Sequence, residues 1–227
     1  MTATALLEFA RGPALWASLA VLVAGSLWRV VGILRLGGMP DLSEPRSTRW
    51  LVGAMRGIFA RMIPRREFRD KGQLGVWNGY VYHVGLAVMV FGYLPHIHFV
   101  ERLTGLAWPP LPDAVVYLSV GPTFVSLFIA LMERLTDPVR RLLSGFDDYF
   151  SWFVVLLPLA TGMIAIHQAY EPGPAPALLY PLPAAIHLLS VELLFLWLPF
   201  GKLAHAFLVF ASRGVTGAAL ARKGAPL

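Results

Sequence analysis

The sequence contains no cysteine. That absence removes disulfides, cysteine-ligated zinc and any iron–sulfur cluster carried by this chain. It also removes covalent haem attachment, which needs a C-x-x-C-H run, so any haem here is of b type, held by side-chain ligands and packing. Charge is scarce: Asp, Glu, Lys and Arg make up 14% of 227 residues, against about 25% in a soluble domain. No glycine-rich nucleotide motif, internal repeat or stretch fit for a soluble domain is present.

What fills the chain is apolar: 57% of residues are hydrophobic. Five stretches are long and apolar enough to span a bilayer, at about 12–34, 76–99, 114–133, 149–169 and 184–210. The expected fold class is all-α: a polytopic membrane protein, one five-transmembrane-helix bundle using residues 1–227. The first stretch lacks a basic leader, because Glu8 and Arg11 cancel, and it runs past signal-peptide length, so it is expected to be retained.

The net charge of +6 suggests nucleic acid only until the charges are placed. Nine Lys and Arg lie between Arg35 and Lys71. Arg134, Arg140 and Arg141 follow the third stretch, and Lys202, Arg213, Arg222 and Lys223 lie at or beyond the end of the fifth. The opposite side has only Arg11 and Arg102, and Arg29 is inside the first stretch. By the positive-inside bias the N-terminus is outside and the C-terminus cytoplasmic. The expected partners are lipid and protein, with no nucleic acid. The setting is a bacterial or archaeal-type cytoplasmic membrane.

In the 35–75 cytoplasmic loop, Trp50 to Ile63 (WLVGAMRGIFARMI) is apolar with interspersed arginines. It reads either as a helix lying in the membrane interface or as a docking element for a cytoplasmic partner. The run Arg65 to Lys71 reads as a solvated charge cluster.

All six histidines lie in or at the end of a span. Imidazole is costly in lipid without a partner, so each carries a functional hypothesis. His187 and His205 are 18 residues apart. On one continuous helix that is five turns, with both rings on one face and about 27 Å between them, one per leaflet. By the derived topology His83 matches His205 near the cytoplasmic side, and His96, His98 and His167 lie with His187 near the outer side. One histidine from each of two helices at matched depth is what bis-imidazole haem ligation needs. Glu192 is rotated about 140° from His187. It reads as a carboxyl paired to a neighbouring helix, or as a relay group in a proton- or solute-conducting protein.

Three stretches carry a family resemblance: NGYVYHVGLAVMVFGYLPH (Asn78 to His96), LMERLTDPVRRLLSGFDDY (Leu131 to Tyr149) and HLLSVELLFLWLPFGKLAHAF (His187 to Phe207). The last has a His-x17-His spacing and a P-F-x-x-L-x-H ending. The chain resembles the gamma subunit of respiratory nitrate reductase and related cytochromes b, including membrane subunits of sulfite-reduction and heterodisulfide-reductase complexes. The resemblance covers about the last two-thirds of the chain.

It implies a five-helix haem b subunit that passes electrons between quinone and a cytoplasmic iron–sulfur subunit and does not perform the terminal reaction. By position His83 and His205 resemble the ligands of the inner haem, and His187 one ligand of the outer haem. The family has a second histidine ten residues after the first; Tyr93 stands there in this chain. His96 is therefore taken as the partner of His187, with His98 and then His167 in reserve; a single haem is the competing expectation. Arg29 is the expected propionate contact, and Arg35 a lipid-facing residue. The family's lysine after the second span, part of its outer quinone site, has no counterpart from Arg102 to Asp113. A haem-free membrane anchor is a further alternative.

Overall fold

The computed structural model describes residues 2–36, 42–60, 62, 73–169 and 181–225. The basic run 65–71 lies outside them. Among the described residues the chain is all-helical. Five helices are long and apolar enough to cross a membrane: 3–35, 73–92, 113–136, 146–165 and 202–222.

The first is α1 (Ala3–Phe9), a π-helical turn (Ala10–Ala14) and α2 (Leu15–Arg35) in direct succession. Pro13 lies inside it and has no N–H to donate. The widened π turn absorbs that missing bond, so the helix continues.

The second span ends earlier than its hydropathy suggests. α4 covers Gln73–Gly92; Tyr93 is extended (φ −82°, ψ 124°), and α5 (Leu94–Thr104) starts anew. Pro95 causes the break, because it cannot donate to the Phe91 carbonyl four residues back. The carbonyls left over are taken up from elsewhere. Phe91 accepts from Trp108 Nε1 at 2.6 Å, Gly92 from the Leu111 amide at 2.9 Å, and Met89 from His96 Nδ1 at 2.8 Å. α6 (Asp113–Thr136), α7 (Pro138–Leu142) and α8 (Phe146–Ala169) follow.

The last apolar stretch is not one helix. α9 (Pro181–Trp197) stops, a 3₁₀ turn covers Lys202–Ala204, and α10 runs His205–Arg222. Pro199 removes another ladder donor, and Gly201 is extended (φ −88°, ψ −172°). The expectation that His187 and His205 share one helical face therefore fails, because it counted turns through a helix that proline interrupts.

By internal packing the chain divides into two compact units, residues 1–63 with 146–227, and residues 64–145. In the second, α4 packs on α6. Asn78 Nδ2 donates to the Ser126 carbonyl at 2.9 Å, and Ser126 Oγ donates back to Asn78 Oδ1 at 2.6 Å and to its carbonyl at 2.7 Å. Two helical turns further on, Gly85 abuts Thr123 so closely that a Cβ would sit 1.8 Å from its hydroxyl. Glycine is required for that approach.

In the first unit α9 packs on α8 and on α1, the π turn and α2. Pro199 lies on Gly25 of α2, where a Cβ would come within 2.8 Å of the proline ring. α3 (Trp50–Ala60) docks on α10 through glycines. A Cβ on Gly217 would be 2.2 Å from the Gly53 carbonyl, and one on Gly57 2.5 Å from the Arg213 carbonyl. Arg46 N donates to the Arg222 carbonyl at 2.9 Å, and Arg222 Nη2 to that of Ser43 at 3.0 Å. The helix expected at 50–63 is thus present over 50–60, with its small-residue face covered by the C-terminal helix. Leu51, Val52, Met55 and Phe59 are exposed.

Candidate functional site

The proposed ligand pairs each draw one histidine from each unit, so each histidine is described within its own unit. His83 lies on α4. Its Nδ1 is 2.7 Å from the carbonyl of Gly79, one turn back. His205 opens α10, and its Nδ1 is 2.8 Å from the carbonyl of Lys202. His96 lies on α5, with Nδ1 2.8 Å from the carbonyl of Met89. A carbonyl only accepts, so in all three rings Nδ1 carries the hydrogen and Nε2 the lone pair. That is the arrangement of a metal-ligating histidine, whose other ring N–H is donated to a carbonyl that sets its orientation.

His187 is held differently. Its Nδ1 lies 3.3 Å from Thr161 Oγ1 on α8, Thr161 Oγ1 lies 2.9 Å from Ser190 Oγ, and Ser190 Oγ donates to the His187 carbonyl at 2.6 Å. Its ring rests on Gly162, where a Cβ would be 3.1 Å from Cε1. The small residues Thr161 and Gly162 on α8 thus seat an imidazole projecting from α9.

The reserve histidines fit less well. His98 is exposed and faces Glu101, with Nδ1 3.1 Å from its carboxylate. His167 lies on α8, with its side chain outside the described residues. Tyr93, at the helix break beyond the span, meets His96 edge-on at 5.3 Å between ring centres. Burial, with neighbouring Tyr117, pushes its pKa up to about 12, so the phenol keeps its proton. Burial also lowers the pKa of His96, partly offset by the bond to the Met89 carbonyl. Between the two, His96 has the chemistry of a ligand.

Arg29 is half-exposed and Arg35 exposed on α2. Glu192 on α9 is buried at 4% exposure, and its Oε1 finds no hydrogen-bond partner among the described residues, in place of the expected pairing to a neighbouring helix. Among the described residues no three His, Asp or Glu side chains converge on one metal position. A bis-imidazole site needs only two.

Sequence reasoning missed what holds these rings. Pro95, Pro199 and Gly201 were the signals: each frees or exposes backbone groups next to a histidine. Asp147 and Asp148, which brace the second break, gave no signal beyond their place at the start of an apolar helix.

The chain is 29% identical over 217 residues to a protein of Nitratidesulfovibrio vulgaris (strain Hildenborough), covering 92% of this chain and 91% of that one. It is 31% identical over 96 residues to monocarboxylate transporter 13 of Bos taurus, covering 39% of this chain and 22% of the transporter. No family model matches the sequence. No solved structure matches it.

Proposed function

We propose that this chain is the haem b membrane subunit of a respiratory oxidoreductase complex, passing electrons between the quinone pool and a cytoplasmic iron–sulfur subunit. The observation that carries the reading is the common state of His83, His96 and His205: each donates Nδ1–H to a backbone carbonyl and keeps the lone pair on Nε2. The family resemblance of the three stretches supports the same reading.

His83 and His205 are assigned to an inner haem, His187 and His96 to an outer one. Bound haem would supply a one-electron carrier whose potential its ligands and surroundings tune. The chain's own residues do the rest. The Gly79, Lys202 and Met89 carbonyls orient the rings. Thr161, Gly162 and Ser190 seat His187. With no cysteine for a cluster, the electron passes on to another polypeptide. The 35–75 loop, which carries nine of the 19 Lys and Arg, and the C-terminal tail are proposed as the cytoplasmic docking side.

A second reading, a proton- or solute-conducting protein, is favoured by one observation, the buried Glu192 Oε1 without a partner among the described residues. The partial likeness to a monocarboxylate transporter points the same way. A visible spectrum of the purified protein separates the two. A reduced b-type Soret and α band is expected; a colourless protein purified with haem supplied would overturn the cytochrome reading.

A further inference from the structure

We infer that Asp147, seconded by Asp148, is a positioning residue for His205. The inference rests on the haem reading and concerns one unit alone. The break between α9 and α10 takes the Lys202 backbone N–H out of the helical ladder, while its carbonyl accepts from the His205 N–H within the 3₁₀ turn. The carbonyl of that same residue orients the His205 ring at 2.8 Å. Something must therefore fix Lys202 if the imidazole is to stay aimed.

The first turn of α8 does so. The Asp147 carboxylate accepts the Lys202 backbone N–H through both oxygens, at 3.2 Å and 3.1 Å. Asp148, buried, accepts from Lys202 Nζ at 2.5 Å. The other side of the break is tied to the same carboxylate. Trp197 Nε1 donates to Ser151 Oγ at 3.0 Å, and Ser151 Oγ donates to Asp147 Oδ1 at 3.0 Å. Gly201 makes room for it: a Cβ there would lie 2.8 Å from Asp147 Oδ1 and 2.5 Å from Trp197 Nε1. One carboxylate thus clamps the last residue of α9 and the first residue of the 3₁₀ turn, and His205 hangs from that turn. Outer partners of this kind hold a ligand's orientation and basicity.

The test compares the full-length chain in membranes as wild type, Asp147→Ala, Asp147→Asn, Lys202→Ala and Ser151→Ala. Haem content, the low-spin ferric EPR signal and the midpoint potential are read for each. Asp147→Ala should weaken haem retention at His205 by about tenfold and shift the EPR signal and potential of what remains. Asp147→Asn, which keeps an acceptor oxygen, should restore most of the haem. Lys202→Ala keeps the backbone bond to Asp147 and loses only the Asp148 ion pair, so it should show the same changes at smaller amplitude. An Asp147→Ala chain with wild-type haem content, EPR signal and potential would overturn the inference.

A wild-type chain that binds no haem sinks the haem reading but not the clamp, which is then read by ¹⁵N NMR of histidine-labelled protein. His205 should carry its proton on Nδ1 in wild type and Asp147→Asn, and lose that preference in Asp147→Ala. An unchanged tautomer counts against the clamp. If Asp147→Ala fails to accumulate, Ser151→Ala, which removes one anchor of the carboxylate, should produce the same changes at smaller amplitude, and no change would again overturn it.

Discussion

The imidazole of His205 hangs from the carbonyl of Lys202, 2.8 Å away, at the point where the last apolar stretch leaves one helix and begins the next. The ring is set by a turn. A mid-helix histidine such as His83 takes its orientation from the carbonyl one turn back. The two proposed inner-haem ligands thus reach the same tautomer by different local structures.

Replacing His205 with alanine is expected to remove the inner haem and leave an apolar hole. The pyridine haemochrome assay checks this. A His205→Ala protein that keeps a full haem complement with unshifted spectra disproves the assignment, and His83→Ala is expected to behave as His205→Ala does.

The outer site is checked by stoichiometry. Two haems per chain are expected, falling to one in His187→Ala and in His96→Ala. A wild-type ratio of one sinks the second haem. A ratio of two that survives His96→Ala moves the ligand to His98 or His167. In His96→Ala the Met89 carbonyl also loses its donor, so a stability loss of about 1–3 kcal/mol is expected beside the haem loss.

The arginine asymmetry predicts that the 35–75 loop faces the cytoplasm. Trypsin added to right-side-out vesicles should leave the Arg35–Lys71 stretch intact and cut it only after the vesicles are inverted or opened. Cleavage from the outside would end both the topology and the proposed docking side.

The α3–α10 pair depends on glycine. Gly217→Leu forces a side chain into the Gly53 carbonyl and should cost about 1–3 kcal/mol as overpacking, or separate the helices. Thermal unfolding in detergent and proteolysis at Arg56 report the two outcomes. A variant with wild-type melting and wild-type protection of Arg56 would show that the helices do not meet there.

The spans are legible in the sequence because desolvating a backbone demands long apolar helices. Four of the five expected stretches match crossing-length helices to within a few residues at most of their ends. The fifth shows where averaging fails. Hydropathy over 184–210 runs on through Pro199 and Gly201, since neither residue is polar enough to interrupt it. The lost hydrogen bond that breaks the helix has no hydropathic signature. Pro95 signals local bending, yet the capping of α4 by Trp108, Leu111 and His96 has no sequence signature, because those donors come from residues beyond the break. Gly53 and Gly57 stand at small-residue spacing, but their partner Gly217 lies 160 residues beyond Gly57 in sequence.

By itself the sequence determined composition-level facts: a cysteine-free, all-helical chain with stretches long and apolar enough to cross a membrane and an uneven spread of Lys and Arg. Those follow from transfer energies summed over stretches of about twenty residues, which any order of packing would preserve. Which carbonyl each imidazole meets, which glycines let helices touch, and that Asp147 braces Lys202 across 55 residues were decided only by tertiary structure. Hydrogen bonds and steric contacts act over about 3 Å, and only the folded chain brings such groups that close.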